Sequence, residues 1–206
     1  MIALVIFLII VIAVVTAMRK ANSTNPGVFK ILGAVRTISF IGIAVAVIFS
    51  CVAQVGAGEV GVQVLFGSVQ DGVLKSGLNP VNPLVNVESM DIRTQAYTMS
   101  SVQDEGQQKG DDAISTLSSD GLTLKLDLTV WYRLNENDAP QVYRTIGTDY
   151  VEKIVRPAVR TAIRDVSVGY SATDIYSIKR EDFVREVTKN LENAFNGRGV
   201  ILERVL

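Results

Sequence analysis

Arg156, Arg160 and Arg164 recur every four residues and so share one face of any helix that contains them. Such a row could grip an anionic partner or pair with acids on a neighbouring subunit. The plainer reading is a solvated helix face. Paired carboxylates stand at Asp104-Glu105 and Asp111-Asp112. A hydrolase could run on carboxylates alone, but only if they are held rigidly and out of water. These lie within residues 103–112 (QDEGQQKGDD), a polar, glycine-containing stretch that reads as a solvated loop. The chain has no histidine. That removes serine–histidine dyads, imidazole bases and histidine metal sites. Its one cysteine, Cys51, falls in an apolar run, so the rest has neither thiol nor disulfide. No phosphate-cradling glycine motif or metal-ligand cluster appears. The sequence therefore predicts no catalytic, cofactor-binding or metal site and no cofactor. Trp131, on the outer face of a strand, is expected to pack against a helix.

Two long apolar runs precede everything else. Ile2 to Met18 (IALVIFLIIVIAVVTAM) carries Thr16 as its one polar side chain, and Thr37 to Gly58 is uncharged. A spanning helix needs about 20 apolar residues at about 1.5 Å rise each. The second run meets that length and the first sits at its short end. Expected divisions are a membrane helix over 1–18, a basic loop over 19–36, a second membrane helix over 37–57 and one soluble domain over 58–206. Arg19, Lys20, Lys30 and Arg36 all fall between the runs, and no acid precedes Glu59. Short basic loops stay cytoplasmic, which places the large domain on the extracytoplasmic side. The alternative for the first run is a cleaved signal peptide, but a signal peptide has its basic residues ahead of the apolar stretch. Gly42, Ala46 and Ser50 are spaced four apart. Small residues on one helix face let a second helix approach closely, although they are also common in spanning helices by chance.

The chain holds 20 basic and 21 acidic residues. Four of the basic ones come early, so the domain holds 16 against 21, a net of −5. A net-negative domain without a Lys/Arg block is an unsuitable partner for nucleic acid. Val60, Val62, Val64 and Phe66 alternate as in a strand, closed by Gly67, with a return strand over 69–74. The string GLNPVNPL follows, and its two prolines predict an extended, turn-rich loop. Leu78, Pro80, Val81, Pro83 and Leu84 make this loop apolar enough to dip into a membrane interface; a buried turn is the alternative. Residues 84–98 read as strand. Leu122 to Leu134 alternate without a break, the clearest half-buried strand. From Val151 to Val166 the period becomes helical, interrupted by Pro157, which demands a kink or a fresh start. A last helix over 179–196 ends at Gly197 and Gly199, and 200–206 reads as a short closing strand. Strands first, helices after, make an α+β domain behind a membrane helical hairpin.

The order of these elements, and the strings VGAGEVGVQVLFG, GLNPVNPL, DGLTLKLDLTVWYRL, YRTIGTDYVEKIVRPAVRTAIRDV and FNGRGVILERVL, resemble the SPFH or band-7 superfamily of stomatins, prohibitins and flotillins. IGTDYVEKIVRPAVR and GVILERV are most similar to the prohibitin branch. The resemblance covers about Gln54 to Leu206. It implies assembly into large membrane-bound rings, local organisation of lipid and protein, and in some relatives control of membrane-bound AAA+ proteases. Relatives usually continue into a long helix that drives assembly, whereas this chain stops at Leu206, as a fragment would. Prohibitins usually have one N-terminal anchor, whereas two apolar runs stand here. The expected protein is a non-enzymatic integral-membrane scaffold of the plasma or inner membrane, with the lipid bilayer, copies of itself and a membrane-bound AAA+ protease as partners. A ligand- or solute-binding receptor domain on a membrane hairpin is the alternative.

Overall fold

The computed structural model describes residues 9–17, 26–102, 106 and 112–206. It divides into two compact units: 1–54 with 77–85, and 55–76 with 86–206.

In the first unit residues 9–17 are helical and helix α1 runs Pro26–Ser50. The basic loop expected over 19–36 is therefore helical from Pro26 onward. Lys30 and Arg36 lie on α1, while Arg19 and Lys20 fall outside the described residues. Proline suits a helix's first turn, where its missing N–H is an orphan in any case. The helix also stops at Ser50, short of 57, because Val52–Val55 forms strand β1 and pairs with β4 (Gly77–Pro80). The first half of the proline string is thus a short strand rather than loop. Pro80 ends that strand, a place where a missing donor costs little. Along α1, Gly33, Arg36, Ser39, Gly42, Ile43, Ala46 and Ser50 are the shielded positions, and Val11, Ile12 and Val15 are those of residues 9–17. Each spacing follows the helical period, so each helix turns one stripe inward and the rest outward.

The second unit is the α+β domain. Strands β2 (Glu59–Leu65) and β3 (Ser68–Leu74) form a hairpin, and β2 also pairs with β5 (Val85–Asp91). Gly61 is required there: a Cβ on it would stand 2.8 Å from Val87 Cγ1 and 2.9 Å from Val55 Cγ2. A second sheet has the order β10 (Val200–Val205), β9 (Leu128–Leu134), β6 (Gln95–Met99), all antiparallel. A third pairs β7 (Ile114–Leu117) with β8 (Thr123–Leu126). The long alternating run is therefore two strands, broken at Asp127. The Asp127 carboxylate accepts hydrogen bonds from the Ser101 amide (3.0 Å) and the Ser100 hydroxyl (3.3 Å), and the strand leaves one sheet for another there. Val130, Tyr132 and Leu134 are buried as the alternation predicts, but Leu122 is exposed.

The helices follow: α2 (Ala139–Thr145), a π-helical turn (Val151–Val155), α3 (Arg156–Ser167), α4 (Ala172–Tyr176) and α5 (Arg180–Phe195). The π turn is how the chain accommodates Pro157. The Arg156 N–H bonds back five residues to Val151, and Pro157 then sits in the first turn of α3, where it needs no donor. Helices α3 and α5 pack on each other, and α5 on β10. The core between them and the sheets is made by Tyr97, Met99, Val130, Ile163, Leu191 and Phe195. Gly197 and Gly199, both at positive φ, turn the chain from α5 into β10.

Candidate functional site

The carboxylate and the arginines singled out by sequence meet in one place. Asp112 has only 5% of its side chain exposed, and its Oδ1 lies 2.7 Å from Arg156 Nη2. Arg160 Nη2 reaches the same oxygen and also donates to the Asp112 carbonyl at 3.3 Å. Arg156 continues to Glu152, one helical turn earlier, through Nη1 at 3.3 Å. Backbone geometry fixes the carboxylate: the Asp112 N–H donates to the Ser100 carbonyl at 3.0 Å. The π turn and the start of α3 bring Glu152, Arg156 and Arg160 to the same side.

This corrects two expectations. Asp112 is not solvated: it is the inner end of the polar stretch, and two guanidinium groups converge on its Oδ1 with charge-assisted hydrogen bonds. The arginine row is not one free face either. Arg156 and Arg160 are half-buried and committed to Asp112, and Arg164 alone of the three is exposed and has no ion-pair partner among the described residues. A shallow groove of about 400 Å³ runs along the row, lined by Glu152, Arg156, Pro157, Arg160, Thr161 and Arg164. Asp104, Glu105 and Asp111 fall outside the described residues.

Tyr97 is packed beneath this network. Burial pushes its phenol up to about 12; Arg156 opposes that shift and Asp112 adds to it. Tyr97 Oη, Asp112 Oδ2 and Arg156 Nε are all buried with no hydrogen-bond partner among the described residues. The Asp112 carboxylate and its hydrogen bond raise Arg156 above the usual arginine range. The arrangement can hold charge and fix a loop neck. Among the described residues, no group of three or more acids, cysteines or histidines comes together as a metal site would need.

The other singled-out residues lie in the first unit. Gly42, Ala46 and Ser50 fall on the shielded stripe of α1. The Val81 N–H donates to the Cys51 carbonyl at 2.7 Å, which ties the proline string to the residue that follows α1. Its turn is set by Asn82, whose side chain accepts from the Leu84 N–H at 3.0 Å. Leu78 is 75% exposed and Leu84 54%, which removes the buried-turn alternative for those two side chains. Pro80 and Pro83 are exposed and Val81 half-buried.

Sequence reasoning missed Phe66. It continues the alternation of β2, but the register pairs Leu65 with Ser68, leaving Phe66-Gly67 as a two-residue turn. Both turn residues have positive φ, 49° and 84°, and Phe66 is 83% exposed. The available signal was Gly67 at the second position of a two-residue turn, a common hairpin mark. Trp131 is partly exposed on β9.

A family model described as SPFH domain / Band 7 family matches residues 53–206, well over half of the chain. Comparison with curated proteins finds no match.

Proposed function

The chain belongs to the SPFH / Band 7 family, and from that premise we propose that it is a membrane-anchored scaffold. It assembles into oligomers that organise lipid and protein, and regulation of a membrane-bound AAA+ protease is its most specific expected role. Members of the family are commonly membrane scaffolds and generally not enzymes. The observation that carries the reading is α1. Its 25 residues extend about 37 Å at 1.5 Å each, more than the hydrocarbon thickness of about 30 Å. Almost none of the apolar stretch Gly33–Ser50 is buried in protein. Arg36 is the one charge in that stretch and stands near its start, where a long side chain can reach the headgroups.

The proline string supports attachment at the other end. Strand pairing and the Val81–Cys51 hydrogen bond hold it beside the end of α1. Leu78 and Leu84, exposed to water, would lie with Pro80, Val81 and Pro83 in the headgroup layer. Gly42, Ala46 and Ser50 offer the close-packing stripe between helices. With the basic residues 19–36 on the cytoplasmic side, the domain is extracytoplasmic. The test is the size of the detergent-extracted chain by light scattering, after flotation with lipid. A chain that stays in the aqueous fraction refutes the anchor, and a monodisperse monomer refutes the scaffold.

A further inference from the structure

The helices of the α+β domain leave an apolar recess beside its sheet. A cavity of about 370 Å³ opens between the start of β9 and helices α3 to α5. It is lined by Ile163, Ile175 and Phe183, which are buried, and by Leu128 and Val184, which are half-buried. Ligand pockets begin at about 300 Å³ and join an apolar lining to a few polar groups. Here the polar groups are Lys125, Asp127, Tyr176 and Arg180, all exposed, so they ring the mouth.

The charges at the mouth decide what the recess accepts. Both Asp127 carboxylate oxygens are already in use. Oδ1 accepts from the Ser101 N–H at 3.0 Å, and Oδ2 from the Ser100 and Ser101 hydroxyls at 3.3 Å. The Arg180 guanidinium has no hydrogen-bond or ion-pair partner among the described residues. Lys125 brings a second cation to the same edge. The uncommitted charge is therefore positive, and the matching ligand is an anion. A guanidinium is planar and offers a fork of donors, the geometry that holds a carboxylate bidentately. Volume sets the rest of the ligand. A dry cavity of about 150 Å³ takes benzene, so this one takes roughly fifteen non-hydrogen atoms. The buried lining is aliphatic but for Phe183, and a flexible chain follows such a surface better than a rigid ring system.

We propose that the recess binds a free saturated carboxylate of about twelve carbons, its chain against Ile163, Phe183 and Val184 and its head on Arg180. A bilayer lipid, with two longer chains, overfills it. Binding here needs neither anchor nor assembly, so it stands or falls apart from the scaffold reading.

The test uses chain 1–206 in uncharged phosphatidylcholine vesicles, in a Cys51→Ser background. Ile178→Cys, at a side chain 94% exposed two residues before Arg180, carries an environment-sensitive dye. Dodecanoate should give a saturable shift, half-complete by about 1 mM for a ligand of this size. Decanoate should need about fifteenfold more, having lost two methylenes of apolar contact. Hexadecanoate should bind no tighter than dodecanoate, because the recess is already full. Dodecanol enters the membrane as readily but carries no charge, and should bind at least about tenfold more weakly. Arg180→Gln should weaken dodecanoate at least about tenfold and leave dodecanol unchanged. A purely structural role for Arg180 would move both. Val184→Phe fills the recess and should weaken both ligands, with Trp131 fluorescence during denaturation showing that the fold is kept. If that variant does not fold, the Arg180→Gln comparison decides alone. No saturable shift with dodecanoate at about ten times the expected concentration, or a folded Val184→Phe that binds as before, overturns the proposal. Equal binding of dodecanoate and dodecanol shows passive partition beside the dye and overturns it too. Affinity that keeps rising to hexadecanoate assigns the recess to lipid chains instead. Flotation and light scattering read anchor and assembly separately in every case.

Discussion

Removing the Asp112 carboxylate is the sharpest perturbation the domain offers. Asp112→Ala deletes two charge-assisted hydrogen bonds, one to Arg156 and one to Arg160, and leaves two guanidinium groups facing an emptied site. A hydrogen bond to a charged group contributes about 1.5–3 kcal/mol, and deleting one partner of a buried pair typically costs about 3–5 kcal/mol. Two facts lower that figure here. The arginine side chains are 28% and 26% exposed, so water reaches them once the acid is gone. The Asp112 N–H to Ser100 bond survives the substitution, so the loop neck keeps its backbone tie. The expected cost is therefore about 2–4 kcal/mol. For a domain of this size that lowers the melting midpoint by roughly 4–16 °C.

The chain provides its own probe, since its single tryptophan, Trp131, lies in β9. Its fluorescence during denaturation in mild detergent reports the domain. Arg160→Ala should cost less than Asp112→Ala, because Arg156 still holds the carboxylate. The double variant should fall short of the sum of the singles by about 1 kcal/mol or more, the coupling expected of residues in direct contact. A cost for Asp112→Ala below about 0.5 kcal/mol, the range of an ordinary surface substitution, would refute the reasoning. It would return Asp112 to the solvated loop that the sequence suggests.

Leu78→Cys carrying an environment-sensitive dye should shift to the blue when the full chain enters vesicles; an unchanged spectrum removes the proline string from the interface. Gly42→Leu should move the detergent particle toward smaller species, since close helix contacts need the small side chain; an unaltered mass would show that the stripe packs nothing. With Cys51→Ser, cysteine at the exposed Lys189 should react with an impermeant reagent from outside and cysteine at 23 should not; the opposite pattern reverses the topology. Tyr97 has its phenol raised to about 12 by burial, so the native state keeps its proton where an unfolded tyrosine, near 10, has lost it. Stability should therefore be full below about pH 10 and fall as pH rises toward 12. Tyr97→Phe should lessen that decline, to which the buried Tyr132 and Tyr150 phenols, also raised by burial, contribute; by deleting a buried hydroxyl without a partner among the described residues, it should cost little at neutral pH.

The parts of this fold that periodicity governs could be read from sequence. The buried face of Val130, Tyr132 and Leu134, the helix ending before Gly197 and the closing strand all stand where alternation and glycine placed them. The interruption at Pro157 could be located, but not its form, because a π turn depends on how the preceding carbonyls are satisfied. What could not be read was pairing at a distance. Alternation runs unbroken through Asp127, but β8 pairs with β7 and β9 with β6, and Ser100 and Ser101, far back in the chain, bind the Asp127 carboxylate at the break. Strand β4 hides in a proline string because its partner β1 was counted as membrane helix. Apolar content cannot separate a short strand from the end of a span.

The candidate site was half legible for the same reason. Spacing put Arg156, Arg160 and Arg164 on one face, and that holds, but a row of like charges says nothing about which acid answers it. Asp112 was visible as one of a pair in a polar stretch. Its burial depends on α3 arriving alongside the neck of that stretch, with the Ser100 carbonyl fixing its backbone. The row is therefore divided in role. Two arginines hold the fold and Arg164 faces outward. Substituting Arg164 should leave the melting midpoint nearly unchanged, as for an ordinary surface residue, whereas substituting Arg156 or Arg160 should not. An assay that finds assembly altered by Arg156 must first exclude the loss of Asp112's partner, and only Arg164 tests the outer face by itself.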